Sequence, residues 1–174
     1  VCPDDLNAAE AVFSGAGVML IQLEIPMAAV EASAKMSKAR GLTVVLNPAP
    51  AAPLAPELVA MTDYLTPNQH ELKVMTGVDG LEEGVRILHG WGAKNVIVTL
   101  GEDGLYYSGT EGAFRRPAFR VEAVDTTAAG DAFMGGFGYA LAQGFSLEAS
   151  LRWGSAAGAL AATRPGAQTS LPAR

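Results

Sequence analysis

Residues 18–47 read VMLIQLEIPMAAVEASAKMSKARGLTVVLN, and this stretch decides the fold class. Val18 to Glu24 (VMLIQLE) and Thr43 to Asn47 (TVVLN) are short apolar runs that read as strands buried on both faces. Between them, Met27 to Arg40 carries apolar residues at helical spacing, and Gly41 stands where a helix-ending residue of left-handed conformation belongs. A strand, a helix and a strand joined in this way form a unit whose strands run parallel, with a right-handed crossover.

The same alternation continues toward the C-terminus. Pro48 to Pro56 (PAPAAPLAP) holds four prolines and reads as a surface connection, followed by a short helix to Met61. Asp63 to Leu65 gives a brief strand. Thr66-Pro67-Asn68 opens a helix from Gln69 to Thr76 that Gly77 stops, and Gly80 to Gly90 repeats the helical pattern. Asn95 to Leu100 (NVIVTL) is the clearest buried strand. Gly101 and Gly104 bracket a tight turn, after which Leu105 to Ser108 and Ala113 to Arg116 read as an antiparallel pair. Helices are expected from about Ala128 to Ala142 and from Ser146 to Ala162. Strands alternating with helices, without an internal repeat, indicate an α/β domain.

Composition sets the outer limits. The 174 residues suit one domain, and 49% hydrophobic residues with a mean hydropathy of +0.22 supply a core. No run approaches 18 apolar residues, which excludes a membrane-spanning helix. Eighteen acidic against 12 basic residues give a net charge of -6, with no cluster of Lys and Arg. Nucleic acid and anionic membrane are therefore not expected partners, because both need a positive field. Cys2 is the lone cysteine and the two histidines lie far apart, so neither an internal disulfide nor a Cys/His metal cluster is expected, and the cytoplasm is the expected compartment. The chain starts Val1-Cys-Pro, which reads as a fragment or a processed chain. The 31 Ala and 20 Gly imply backbones that approach closely, above all in the last two helices.

Three segments carry the chemistry. In Asp125-Thr-Thr-Ala-Ala-Gly-Asp-Ala-Phe133, small residues at Ala128, Ala129 and Gly130 let successive backbone N–H groups at a helix start point at one anion. Asp131 in that first turn can take a proton from a hydroxyl nucleophile. The residues are equally compatible with Asp125 as a helix cap and Asp131 as a favourable first-turn charge. Thr99-Leu-Gly-Glu-Asp-Gly104 follows a strand end, where glycines admit a nucleotide or simply make a turn. No Gly-x-x-x-x-Gly-Lys-[Ser/Thr] occurs, so an ordinary P-loop is unsupported. In Asn68-Gln-His-Glu71, Asn68 can reach a phosphate and Glu71 can organise hydrated Mg2+, or the two form a capping box. His70 and His89 read as surface residues, and Trp91 and Trp153 as packing anchors.

Taken in order, Gln22-Leu-Glu24, Asn47-Pro-Ala-Pro-Ala51, Thr66-Pro-Asn-Gln-His-Glu71, Val98-Thr-Leu-Gly101, Val124-Asp-Thr-Thr-Ala-Ala-Gly-Asp131 and Thr163-Arg-Pro-Gly-Ala-Gln168 resemble the ribokinase branch of the PfkB-type carbohydrate kinases. The resemblance implies a three-layer α/β/α Rossmann-like sheet and ATP-dependent phosphorylation of the primary hydroxyl of a small sugar, ribose first. It makes Asp131 the base, with Ala128, Ala129 and Gly130 as the anion hole. Asn68, Thr99, Gly101, Gly104, Gly130, Asp131 and Ser155 would form the ATP site, and Glu24 and Asp131 would contact the sugar. Glu71 would act on Mg2+ indirectly. Asp125, Thr127, Ala161, Arg164, Gly166 and Ser170 would hold an activating K+, mostly through backbone carbonyls.

The family's sequence begins with further strands, a small β lid and a Gly-Gly-Lys-Gly-type sugar-binding stretch, none of which is present here. Residues 1–174 are therefore expected to be the C-terminal part of a single PfkB-type domain, with little or no kinase activity alone and an open strand edge prone to self-association. The parent protein is expected to be a homodimer. The alternatives are a kinase of fructose, 2-keto-3-deoxygluconate or a nucleoside, or a catalytically silent nucleotide-binding module.

Overall fold

The structure, a computed structural model, describes residues 1–172. Its elements run α1 (Pro3–Ala8), a 3-10 turn (Glu10–Phe13), β1 (Val18–Ile21), α2 (Met27–Ala39), β2 (Thr43–Leu46), α3 (Pro56–Met61), β3 (Tyr64–Leu65), α4 (Gln69–Thr76), α5 (Leu81–Gly90) and β4 (Val96–Thr99). A 3-10 turn (Gly101–Asp103), β5 (Leu105–Gly109), β6 (Gly112–Arg116), α6 (Ala129–Ala142), α7 (Leu147–Ala162) and a last 3-10 turn (Gln168–Ser170) follow. The strands form one six-stranded sheet in chain order, and β1 to β4 are parallel neighbours. The connections into β5 and β6 are too short for a crossover, so those strands can only run antiparallel to the strand before them. The fold is α/β, as the alternation predicts. No helix among the described residues is long and apolar enough to cross a membrane.

The chain divides into two compact units. One comprises residues 1–100 and 106–115, the other residues 101–105 and 116–174.

The first unit holds the parallel strands. Val18 pairs with Thr43 and Ile21 with Leu46, so the strand–helix–strand unit is parallel as expected. Val44, Val45 and Leu46 of β2 are fully buried, because β2 has neighbours on both sides. β1 departs from expectation. It pairs with β2 alone among the described residues, and Leu20 is 42% exposed, so it is a half-covered edge rather than a strand buried on both faces. It also stops at Ile21, since the Leu23 N–H turns away to donate to Ala49 O at 2.8 Å. Gly41 follows α2 at φ +74°, and Gly77 ends α4 at φ +76°.

Residues 48–56 connect β2 to α3 as expected, but not wholly on the surface, because Leu54 is buried in a core with Val30, Val44, Leu58, Leu65 and Val96. Pro56 belongs to α3 as its first residue, where its missing N–H costs nothing. The sequence pattern gave no sign of α1, which buries no residue.

Polar contacts fix the lower edge of the sheet. Asp63 accepts from Lys38 Nζ at 2.7 Å, Lys94 Nζ at 3.1 Å and Val44 N at 2.9 Å. Burial pushes its carboxyl up, but these bonds outweigh that and hold it below the ordinary range. Asn95, 7% exposed, accepts from Tyr107 OH at 2.6 Å and Thr110 N at 3.1 Å and donates to Asp63 O at 2.8 Å, which pins the β5–β6 turn. His89 is not a plain surface residue. Ala93 O lies 2.7 Å from its Nδ1 and Ser108 Oγ 2.9 Å from its Nε2, so it bridges the end of α5 to β5. The carbonyl can only accept, which assigns the proton to Nδ1. His70 is exposed, and Trp91 packs against the core, both as expected.

The second unit is built on α6 and α7. A Cβ placed on Gly136 would lie 2.9 Å from Trp153 O, one on Gly154 3.0 Å from Phe133 O, and one on Gly158 3.0 Å from Ala129 O. These three glycines let the two helices touch backbone to backbone. The expectation of close packing holds for them, whereas Gly135 faces open space. Trp153 meets Tyr139 and Phe145 with ring centroids 5.6 and 6.2 Å apart, yet it stays 48% exposed, so it is only half an anchor.

Candidate active site

In an open parallel sheet, ligands bind beyond the carboxyl ends of the strands. In the first unit that edge carries Glu24 after β1, Asn47 after β2, Thr66 to Asn68 after β3 and Thr99 at the end of β4. Asn68 and Thr99 are brought side by side. The two form an isolated parallel bridge, and Thr99 N donates to Pro67 O at 3.0 Å.

Asn68 also caps α4. Its Oδ1 accepts from Glu71 N at 2.8 Å, Glu71 Oε2 accepts from Asn68 N at 2.7 Å, and Asn68 Nδ2 donates to Glu71 Oε1 at 2.8 Å. The capping box that the sequence allowed is therefore closed. Burial raises the Glu71 carboxyl above its usual range, against the pull of the Asn68 amide and of His70. Each Glu71 oxygen holds one donor and keeps a lone pair, which fits a contact with hydrated Mg2+ through water. Glu24 is exposed and lies three residues beyond β1 rather than at its end, in the bend that leads to α2.

In the second unit, the start of α6 is open. Ala132 N donates to Ala128 O at 2.9 Å and closes the first turn, so the amides of Ala128 to Gly130 precede the first intrahelical bond. The Ala129 amide is engaged by Thr126 O at 3.1 Å, which takes one of the three expected anion-hole donors into the preceding turn. No side chain caps the helix. Ala128 has none to offer, and at φ -102° and ψ 9° it lies outside the extended region that a capping residue adopts. A Cβ on Gly130 would meet nothing within 4 Å. Asp131 stands exposed in the same turn.

Asp125 does not cap α6. Its Oδ1 accepts from Thr127 N at 2.9 Å and from Thr127 Oγ1 at 2.6 Å, and its Oδ2 accepts from Gly166 N at 2.9 Å. The Thr127 hydroxyl, then the Thr127 and Gly166 amides, lower its carboxyl to about 2. The residues expected at a cation site thus come together in part. Asp125 ties the 125–127 turn to the loop after α7, and Ala162 O accepts from Val124 N at 2.7 Å. Ala161 O accepts from Arg164 N at 3.1 Å, and Ser170, 1% exposed, donates to Ala167 O at 2.7 Å. The Asp125 carboxylate, held anionic, offers the oxygen that a hard cation prefers, and both of its oxygens are hydrogen-bonded within the chain.

Ser155 is half-buried on α7, one turn before Gly158 and hence on the helix side that meets the first turn of α6. Gly101, at φ +62°, faces open space. Gly104 differs. At φ +91°, a Cβ there would run into Arg116 O and stand 2.6 Å from Ala118 N, so the glycine makes room for the chain's own backbone. Among the described residues, no group of three or more His, Cys, Asp or Glu is placed to hold a metal ion. Sequence reasoning assigned no role to Asn47 or Thr66; the available signal was an Asn that ends a buried strand immediately before a proline.

A sequence profile described as pfkB family carbohydrate kinase matches residues 3–174. The chain is 40% identical over 174 residues to a ribokinase of Haemophilus influenzae, covering 97% of this chain and 57% of the relative. It is 34% identical over 176 residues to a deoxyribokinase of Salmonella typhi, covering 98% of this chain and 58% of the relative. The solved structure of Arabidopsis thaliana ribokinase complexed with ribose and ATP superimposes with a TM-score of 0.87 at 33% identity, covering 97% of this chain and 55% of that one. The chain therefore spans a little over half the length of the relatives it matches.

Proposed function

Because this chain belongs to the pfkB family of carbohydrate kinases, we propose that its parent protein transfers the γ-phosphoryl group of ATP to the primary hydroxyl of a small sugar, D-ribose in the first instance. In this reading residues 1–174 are the C-terminal part of one kinase domain. The observation that carries it is the first turn of α6, where uncapped helix donors, open space at Gly130 and an exposed Asp131 coincide.

Asp131 accepts the hydroxyl proton as the sugar oxygen attacks in line. The amides of Ala128 and Gly130, with the helix dipole, hold the charge of the transferring group, and the Ala129 amide joins them if it leaves Thr126 O. Asn68, Thr99, Gly101 and Ser155 position ATP, and Glu24 meets the sugar. Mg2+ bound to the nucleotide would neutralise phosphate charge, with Glu71 orienting its waters. Asp125, Thr127, Ala161, Arg164, Gly166 and Ser170 would hold K+ and keep the turn before α6 in place. The same reading makes the parent protein a cytoplasmic homodimer.

The relative named deoxyribokinase supports a second acceptor, 2-deoxyribose, in the same site. The test is a phosphorylation assay on the full-length parent protein with ATP, Mg2+ and K+, comparing ribose, 2-deoxyribose, fructose and a nucleoside. Ribose turnover that disappears in Asp131→Asn, with ATP affinity retained, is the expected result. Undiminished turnover in Asp131→Asn, or loss of nucleotide affinity instead, overturns the assignment. The isolated chain is expected to bind ATP with little or no turnover.

A further inference from the structure

Asn47 sits where three strand ends meet in the first unit. Its backbone N–H donates to Ile21 O of β1 at 2.9 Å. Its side-chain Nδ2 donates to Thr66 O, just past β3, at 2.8 Å. The residue before it, Leu46, accepts at its carbonyl from Thr66 N at 2.9 Å and from Thr66 Oγ1 at 3.3 Å. On the other side, Thr99 N of β4 holds Pro67 O at 3.0 Å. The short segment Thr66–Asn68 is thus clamped between β2 and β4, and the clamp leads directly into the Asn68–Glu71 box.

This arrangement has one replaceable part. The backbone bonds are common to any sequence that pairs these strands, and Thr66 is 2% exposed with its hydroxyl spent on Leu46 O. The Asn47 amide is the side chain that fixes the Thr66 carbonyl from the edge where a ligand would arrive. Without that bond, the Thr66 carbonyl loses its Asn47 anchor, and Asn68, two residues on, is held less firmly. A misplacement of about 1 Å at a positioning group is enough to weaken a polar site markedly.

We propose that Asn47 is a positioning residue for the nucleotide-handling end of α4: through Thr66 O it sets the placement of Asn68 and Glu71 without touching the ligand itself. This rests on the role proposed above for Asn68 and Glu71, and the experiment separates the two claims.

Asn47→Ala and the near-isosteric Asn47→Asp, which sets an oxygen against the Thr66 carbonyl, are made in the full chain beside Asn68→Ala and the control Asn95→Ala. Asn95 lies at the opposite end of β4, where its loss removes the bonds to Tyr107, Thr110 and Asp63. Two quantities are measured for each folded variant: hydrogen exchange at the Asn68 and Glu71 amides, and affinity for ATP with Mg2+ by calorimetry. In both Asn47 variants exchange at those two amides is expected to accelerate locally, and ATP affinity to fall about threefold to tenfold, the range that one hydrogen bond supplies. Asn95→Ala is expected to lower the melting temperature without either change.

Unchanged exchange at Asn68 and Glu71 in the Asn47 variants, or the same acceleration in Asn95→Ala, overturns the positioning role whatever the nucleotide result. If Asn68→Ala leaves ATP affinity untouched, the role assigned to Asn68 fails, and the exchange data still decide whether Asn47 sets the capping box. An Asn47→Ala chain that does not fold shifts the decision to Asn47→Asp.

Discussion

Two helix starts in this chain solve the same problem in opposite ways. α4 closes its own end: Asn68 and Glu71 exchange hydrogen bonds at 2.7 and 2.8 Å, so the orphan donors there are spent inside the protein. α6 leaves its end open. Ala128 offers no side-chain acceptor, Asp125 is diverted to Thr127 and Gly166, and the space over Gly130 is clear. A folded chain tolerates the open end because α6 is held along its length by α7, through Gly136, Gly154 and Gly158, rather than by a cap. An uncapped start kept by packing alone is what an anion site requires, since a capping side chain would compete with the anion for the same donors.

The largest expected effect tests the open end. Asp131→Asn in the parent protein removes the proposed proton acceptor in the first turn of α6 and is expected to cut turnover by a factor of about 10² to 10⁴, the usual worth of a general base. Steady-state kinetics with ribose read it, and a loss below tenfold breaks the contrast between the two helix starts by making Asp131 an ordinary first-turn charge.

Next in size comes the packing that replaces the cap. Gly136→Val places a branched side chain 2.9 Å from Trp153 O and is expected to destabilise the second unit by about 1–3 kcal/mol, read from denaturant unfolding. Gly135→Val, one residue earlier but facing open space, is the matched control and is expected to be near neutral. Equal losses in both would mean that the branched side chain itself, and not the contact between the two helices, destabilises α6.

Asn68→Ala opens the closed end. It removes the acceptor for Glu71 N and a donor to Glu71 Oε1, and leaves a buried carboxylate with one partner fewer. The expected loss is about 1 kcal/mol of stability. No comparable cap exists to remove from α6, so Ala128→Gly is expected to change stability by less.

How much of this contrast the sequence carries depends on range. The boundaries of α4 could be read because every signal is local: Asn68 before the helix, Glu71 three residues on, Gly77 at its end. The parallel strand–helix–strand unit was legible for the same reason. The candidate site was legible as motif segments whose order matches a family, which placed Asp131 and its small neighbours at a helix start.

What escaped depends on residues far apart in the chain. Nothing local says that β1 is an edge, because that depends on which strands flank it. Gly104 reads as a ligand glycine until the backbone of Arg116 to Ala118 is seen to fill its space. Asp125 reads as a cap until its partner 41 residues away, Gly166, is in view. His89 reads as a surface residue and Asn47 as a plain strand end until their partners, Ser108 and Thr66, 19 residues off in each case, are in view.

The smallest effect is also the most direct readout of the difference between the two helix starts, because their carboxylates are displaced in opposite directions. Glu71 is pushed above its ordinary value of 4.5 by burial, while Asp125 is drawn from 3.8 to about 2 by the Thr127 hydroxyl and by the Thr127 and Gly166 amides. The signs follow by linkage. A raised acid favours the folded state fully below its unfolded pKa, so the Glu71 contribution is lost as pH rises through its folded value. A lowered acid favours the folded state above its unfolded pKa, so the Asp125 contribution is intact at pH 4 and above and drains away between 3.8 and about 2. Carboxyl carbon shifts followed by NMR from neutral pH downward should therefore show Glu71 titrating first and Asp125 last, with the Gly166 amide losing its protection only in the second step. If Asp125 titrates at an ordinary value while Gly166 stays protected, that carboxylate does not hold the loop after α7, and the turn leading into α6 is kept in place by the Ala162 carbonyl alone.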